Sequence, residues 1–247
     1  MTRKPIYSTF QYPSVIPGGP NSYFVVGHLR TMFAELQWLL FDFCRMHQIV
    51  YKEIAYIDER LTRFSKENKE DLTLSSILDL SDEDYYKEIQ KIRILDSIIA
   101  QDQENKRVIG FIDQMAVVGL WALAEQFLGN IYRKHIAFTT SVDADTVSSP
   151  YRWKNFIQEY ANIGVELSTC DGFQDADECR VVNNAIKHDP TVGKRLEVFP
   201  YFISYKGSKL MQVPLEMQRY LNGVNDFLGS LMEKIEEQCD RCYIVDD

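Results

Sequence analysis

Apolar residues recur at three- and four-residue spacing through most of this chain, the period of an α-helix that buries one face. Leu29, Met32, Phe33, Leu36, Leu39, Leu40 and Phe43 form a first wide stripe. Asn21 or Ser22 is placed to cap it, and the helix is expected to reach about residue 47 and to continue toward residue 64. A charged break follows at 66–70, then a short apolar connector at 73–80 with no assigned structure. Ser81 before Asp82, Glu83 and Asp84 is a second helix start, with acids where the helix dipole favours them. The helical period then runs to about residue 138. One helix of that length would span about 80 Å at 1.5 Å per residue, so a break is expected between 101 and 110. Residues 111–137 are apolar on nearly all sides. Gly119, Ala116, Ala122 and Ala124 allow close helix approach there, which predicts the central buried helix.

The prolines punctuate this pattern. Pro5, Pro13, Pro17 and Pro20 crowd the start and the next is Pro150. Because proline is excluded from helix interiors, a long proline-free middle fits a helical protein. Residues 1–20 read as an extended arm, 21–100 as a helical extension suited to a partner, and 139–149 as a polar loop. A short helix is expected at 153–160, ending near Gly164. A further helix is expected to end before Pro190. Residues 196–205 and 210–213 flank Lys206, Gly207 and Ser208 as a small β-hairpin would, with Pro200 making its first strand an edge. Pro214 opens a last helix, to about residue 238. The fold class is therefore mainly α: a multi-helix bundle in one domain, with one small β-hairpin and an extended N-terminal arm.

Composition narrows the function. A net charge of −9 over 247 residues makes a poor general nucleic-acid binder, since phosphate contacts need clustered Lys and Arg. Local basic candidates are Arg133, Lys134 and His135, and the group around Lys187, Lys194 and Arg195. The five cysteines are odd in number, and no signal-peptide pattern opens the chain. A cytoplasmic protein with reduced thiols is expected. Cys239 and Cys242 have the spacing of half a zinc site, but no second pair completes it. The apolar stretch 115–128 is short for a bilayer span and carries Glu125 and Gln126, so no membrane association is expected.

The most distinctive segment is 178–190. Read as a helix, it places Arg180, Asn183, Asn184, Lys187 and His188 in one arc and Cys179, Val181, Val182, Ala185 and Ile186 in the other. A fixed cation, two amides, an ammonium and an imidazole can bind a phosphate and move a proton. Glu125, a lone acid in an apolar helix, needs a partner if buried, and Arg180 is the candidate.

Residues 111–190 resemble the HEPN superfamily of small all-α domains. The resemblance rests on three elements in order: the helix of Trp121 and Glu125, the Trp153-led helix followed by Gly164, and the helix of Arg180, Asn183, Asn184, Lys187 and His188. It implies a HEPN-like core at 111–190. It also implies metal-independent RNA cleavage with no cofactor, of the toxin or phage-defence kind, by a homodimer. An antitoxin or other regulatory protein would be a further partner. Under it His188 takes the ribose 2′-hydroxyl proton, Arg180 and Lys187 stabilise phosphorane charge, and Asn184 and Asn183 hold the substrate. The chain departs from the family pattern in one respect. Asn183 stands where the family's arginine is expected, and Arg180 lies one turn earlier. That departure supports a second expectation, a dimeric helical scaffold or ligand-binding module that does not cut.

Overall fold

A computed structural model describes residues 24–68 and 81–243, with side chains to residue 239. Six α-helices are present among them: α1 (Gly27–Glu67), α2 (Asp82–Thr140), α3 (Trp153–Asn162), α4 (Phe173–His188), α5 (Pro200–Ile203) and α6 (Met217–Tyr243). The extended arm, the Asn21/Ser22 cap and the 73–80 connector lie outside the described residues. Within them α1 starts after Val26, whose side chain makes no cap hydrogen bond. Ser81 caps α2 as its sequence predicts, its hydroxyl accepting from the Asp84 backbone N–H.

Helices α1 and α2 form a long antiparallel pair. His28 meets Phe138, Phe43 lies beside Gly119, His47 meets Asp113, and Asp58 meets Asn105. The partner number falls as the α1 number rises. The break expected between 101 and 110 does not occur, and α2 runs 59 residues without interruption. The local chemistry explains why. Asp102 pairs with Lys106 and Gln101 donates to Asn105, both at i,i+4. Asn105 in turn donates to Asp58 across the pair at 2.6 Å. Gly110, which looks like a helix breaker, is instead a point of close approach: a Cβ there would lie 2.1 Å from the Met211 carbonyl oxygen.

The hydrophobic core occupies one end of this pair. Leu29, Leu36 and Leu40 of α1, Val117, Leu120, Trp121 and Leu128 of α2, and Tyr220, Phe227, Leu228 and Leu231 of α6 are fully buried or nearly so. Helix α6 runs antiparallel to α1, since Glu236 accepts from the Val26 N–H and Gln37 donates to Asn225. Helix α4 closes the bundle against α2 and α6. Beyond Ile54, α1 has no buried residue, and α2 has none between Glu88 and Asn105. Among the described residues, the outer half of the pair is a two-helix arm bridged by Asn105 and Asp58.

The predicted hairpin is absent. The described residues of 196–213 form α5 and a 3-10 turn at Leu210–Gln212. Pro200 sits at the first position of α5, where its missing N–H costs nothing. A single antiparallel bridge, Thr191 with Lys209, closes this loop, helped by Val192 N–H donating to the Ser208 carbonyl at 2.9 Å. Leu196, Phe202 and Leu210 turn inward onto the core. Burial of those three side chains, rather than a strand ladder, fixes the segment.

One 18-residue window of α2 is long and apolar enough to cross a membrane, contrary to the expectation from 115–128, and 44% of that window is buried inside the fold. The core helix of a bundle meets the same description.

Candidate functional site

Helix α4 begins after Gly172, whose φ of +68° is left-handed. Only glycine fits there, because a Cβ would lie 2.5 Å from the Gly223 carbonyl oxygen. From this anchor the helix presents Ala176, Glu178, Cys179, Val182 and Asn183 to the core. The polar arc read from the sequence is therefore divided. Asn183 is 1% exposed, and its carboxamide oxygen has no hydrogen-bond partner. Asn184 is half-buried, and Lys187 and His188 are exposed at the C-terminal end, where the helix dipole favours cations.

Arg180 is engaged. Its Nε donates to Asp177 Oδ1 at 2.8 Å, and its guanidinium lies 5.0 Å from the centroid of the Trp153 ring. Trp153 is fixed in turn by stacking on Phe173 and by an edge contact with Trp121. Asp177 lies one turn toward the helix N-terminus, so the guanidinium leans away from His188. Eight residues of helix separate the two by about 12 Å of rise and about 80° of rotation. Arg180 and His188 do not converge within one chain. Glu125 is exposed, so the expected Arg180–Glu125 pair is replaced by Arg180–Asp177. An acid in an apolar-looking run has simply turned to solvent.

The other basic candidates scatter. Lys194 and Arg195 are exposed on the loop after α4. Arg133 contacts Asn130, with Asp145 3.9 Å away. His135 is buried, its Nδ1 3.9 Å from Cys239 Sγ. Burial and then the neighbouring His28 push the His135 pKa down. Burial and then Lys134 do the same to His28. Both rings are favoured in their neutral form.

Two buried polar clusters were not foreseen. In the first, Arg219 of α6 contacts three carboxylates: Asp175, Glu178, and Glu216 at 2.8 Å. Tyr220 donates to Glu178 at 2.8 Å. Burial alone would lower the Arg219 pKa, but its bonds to Glu178 and Asp175 outweigh that and raise it. Burial and then the Glu178 charge push the Tyr220 hydroxyl well up. The available signal was Glu178 sharing a helix face with Cys179 and Val182. In the second cluster, His47 Nε2 lies 3.0 Å from Asp113 Oδ1, the oxygen to which Tyr51 also donates. His47 and Tyr51 sit four apart on the buried face of α1, which is the pattern that could have revealed them.

A groove of about 1660 Å³ runs between the arm of α1 and α2 and residues 209–215, with Asp113 among its walls and no residue of α4 lining it. Among the described residues no three His, Cys, Asp or Glu side chains are grouped so as to hold a metal ion. The chemistry-bearing residues therefore fall into an occupied Arg180, an exposed pair at Lys187 and His188, and two internally bonded clusters. Comparison of the chain with protein-family models, with curated proteins and with solved structures finds no match.

Proposed function

We infer that this chain is a non-catalytic helical scaffold that works as a dimer, in a reducing compartment such as the cytoplasm. One observation carries the reading: Arg180 is held by Asp177 and the Trp153 face, two helical turns before His188. Phosphate-transfer chemistry needs a cation and a base aimed at one reacting centre, and these two are not. The compartment rests on the four described cysteines, Cys44, Cys170, Cys179 and Cys239, which are free and buried. The test is to incubate purified protein with RNA in EDTA. Intact RNA is expected. Cleavage that disappears in His188→Ala with the fold retained would overturn the scaffold reading.

A second reading has one observation in its favour. Lys187 and His188 are exposed side by side, with Asn184 one turn behind. On the HEPN resemblance, a dimer bringing two α4 ends together would form a metal-independent endoribonuclease, or an RNA-binding toxin or defence protein with an antitoxin-type partner. In that case Lys187→Ala and His188→Ala each lower RNA cleavage by at least about 100-fold, as loss of a charge-stabilising cation or of a general base does. The thermal midpoint would change little, because both side chains are exposed and only a helix-dipole contact is lost.

A further inference from the structure

The outward face of α1 carries an apolar stripe that the fold does not use. Trp38, Leu39, Met46, Ile49, Tyr56 and Phe64 are each between 41% and 60% exposed. At 100° per residue they fall within an arc of about 100°. Gln37, Leu40, Cys44 and Tyr51, which are buried, lie on the opposite side of the helix. Isolated exposed apolar residues are ordinary on a protein surface, but six in one arc of one helix, interspersed with Asp42, Glu53 and Arg60, mark an interaction face. From Trp38 to Phe64 it runs about 39 Å.

We propose that this face of α1 pairs antiparallel with α1 of a second copy of the chain, about a two-fold axis level with residue 51. The proposal rests on the scaffold reading and names the partner that reading leaves open. The stripe is self-complementary at four of its six apolar positions, while Ile49 falls across from Glu53 near the axis and Leu39 across from Arg63. With residue 51 at the axis, Trp38 lies across from Phe64 of the second copy, and Met46 across from Tyr56. Asp42 lies across from Arg60, each in the middle of the stripe and each exposed. Opposite charges therefore meet twice, once on each side of the axis, as isologous contacts require. Arg60 already lies over Tyr56, 5.7 Å from the ring centroid, on this face. A like-charge pair, Glu35 with Glu67, falls at the outer ends, where solvent screens it.

The area is sufficient. Aromatic side chains carry about 150–250 Å² each, so half-exposed Trp38, Tyr56 and Phe64 offer roughly 300 Å² per chain, to which Leu39, Met46 and Ile49 add. A stable interface takes about 800 Å² per partner, and the flanking charged stems supply the rest. Because α4 packs on α2 and α6, this dimer leaves both copies of Lys187 and His188 outside the interface. A HEPN-type dimer would place them in a shared cleft.

Sedimentation velocity on the full chain across micromolar concentrations tests the interface, with far-UV circular dichroism as a check of fold. A dimer is expected. Met46→Glu is expected to give a monomer. Asp42→Arg should weaken the dimer by at least about tenfold through the like charges it sets against Arg60. The double exchange Asp42→Arg with Arg60→Asp should restore the dimer to within about threefold, because it rebuilds the pair in reverse. Both charged positions lie in solvent, so these variants remain informative if Met46→Glu fails to fold. A monomeric wild-type chain overturns the proposal, as does a dimer that both single variants leave intact. RNA cleavage by the wild-type dimer would end the scaffold reading while leaving this interface standing.

Discussion

At Arg219 a single side chain holds three carboxylates, and its removal has a predictable cost. Glu178 is 4% exposed and would be left with Tyr220 alone as donor. Breaking a buried ion pair costs about 3–5 kcal/mol. Because the Arg219 side chain is 30% exposed, water will soften that, so Arg219→Ala should lose about 2–4 kcal/mol in urea unfolding. Asn183 predicts the opposite sign. Its buried carboxamide oxygen lacks a partner, and an unmet buried acceptor costs about 1–3 kcal/mol. Asn183→Leu, which keeps the branched heavy-atom skeleton and removes the unmet acceptor, should therefore hold or raise stability by about 1 kcal/mol in the same measurement. A loss above about 2 kcal/mol would instead mark Asn183 as a needed hydrogen-bonding group.

Among the helices, α2 is the spine. Its unbroken run carries the arm at one end and the core at the other, and its register is pinned where the Met211 backbone touches Gly110. A methyl group at that contact has nowhere to go, because the obstructing atom is a backbone carbonyl. Gly110→Ala should cost at least about 1–3 kcal/mol, the usual penalty for overpacking. That cost would outweigh the gain in helix propensity, which is about 1 kcal/mol. A thermal melt of the variant checks this, and an unchanged or raised midpoint would disprove the contact.

The molecule as a whole stores its titration limits in the core. Folded His28 and His135 have pKa values pushed below the usual 6.5. Their contribution to stability is fully present above about pH 6.5 and is lost as pH falls, because the unfolded rings take up protons first. The thiols act at the other limit. Burial raises Cys44 from 9.0 to about 12 and Cys170 from 9.0 to about 11. Their contribution is fully present below about pH 9 and is lost as pH rises from 9 toward 11 and 12. The unfolding free energy measured across pH should therefore be flat between about 6.5 and 9 and fall on both sides. A maximum below pH 6 would contradict the neutral histidine pair.

Local signals determined much of the architecture. Helical signals placed α1, α3, α4 and α6 and the two ends of α2, but not its unbroken middle. Ser81 with its acidic run fixed the start of α2, and Pro190 the end of α4. These are properties of consecutive residues, so they are legible without a fold. Tertiary contact decided where local rules tie. Gly110 reads as a breaker until the Met211 backbone is seen against it, and Pro200 reads as an edge-strand interruption until Phe202 is seen buried behind it. The same limit applies to the candidate site. Periodicity put Asn183 beside Arg180, yet the packing of α4 against α2 and α6 buried Asn183. Glu125 on α2 faces solvent, and Arg180 meets Asp177 on its own helix and Trp153 on α3. A helical period fixes the angle between two side chains on one helix, but which arc meets the neighbours depends on helices far away in sequence.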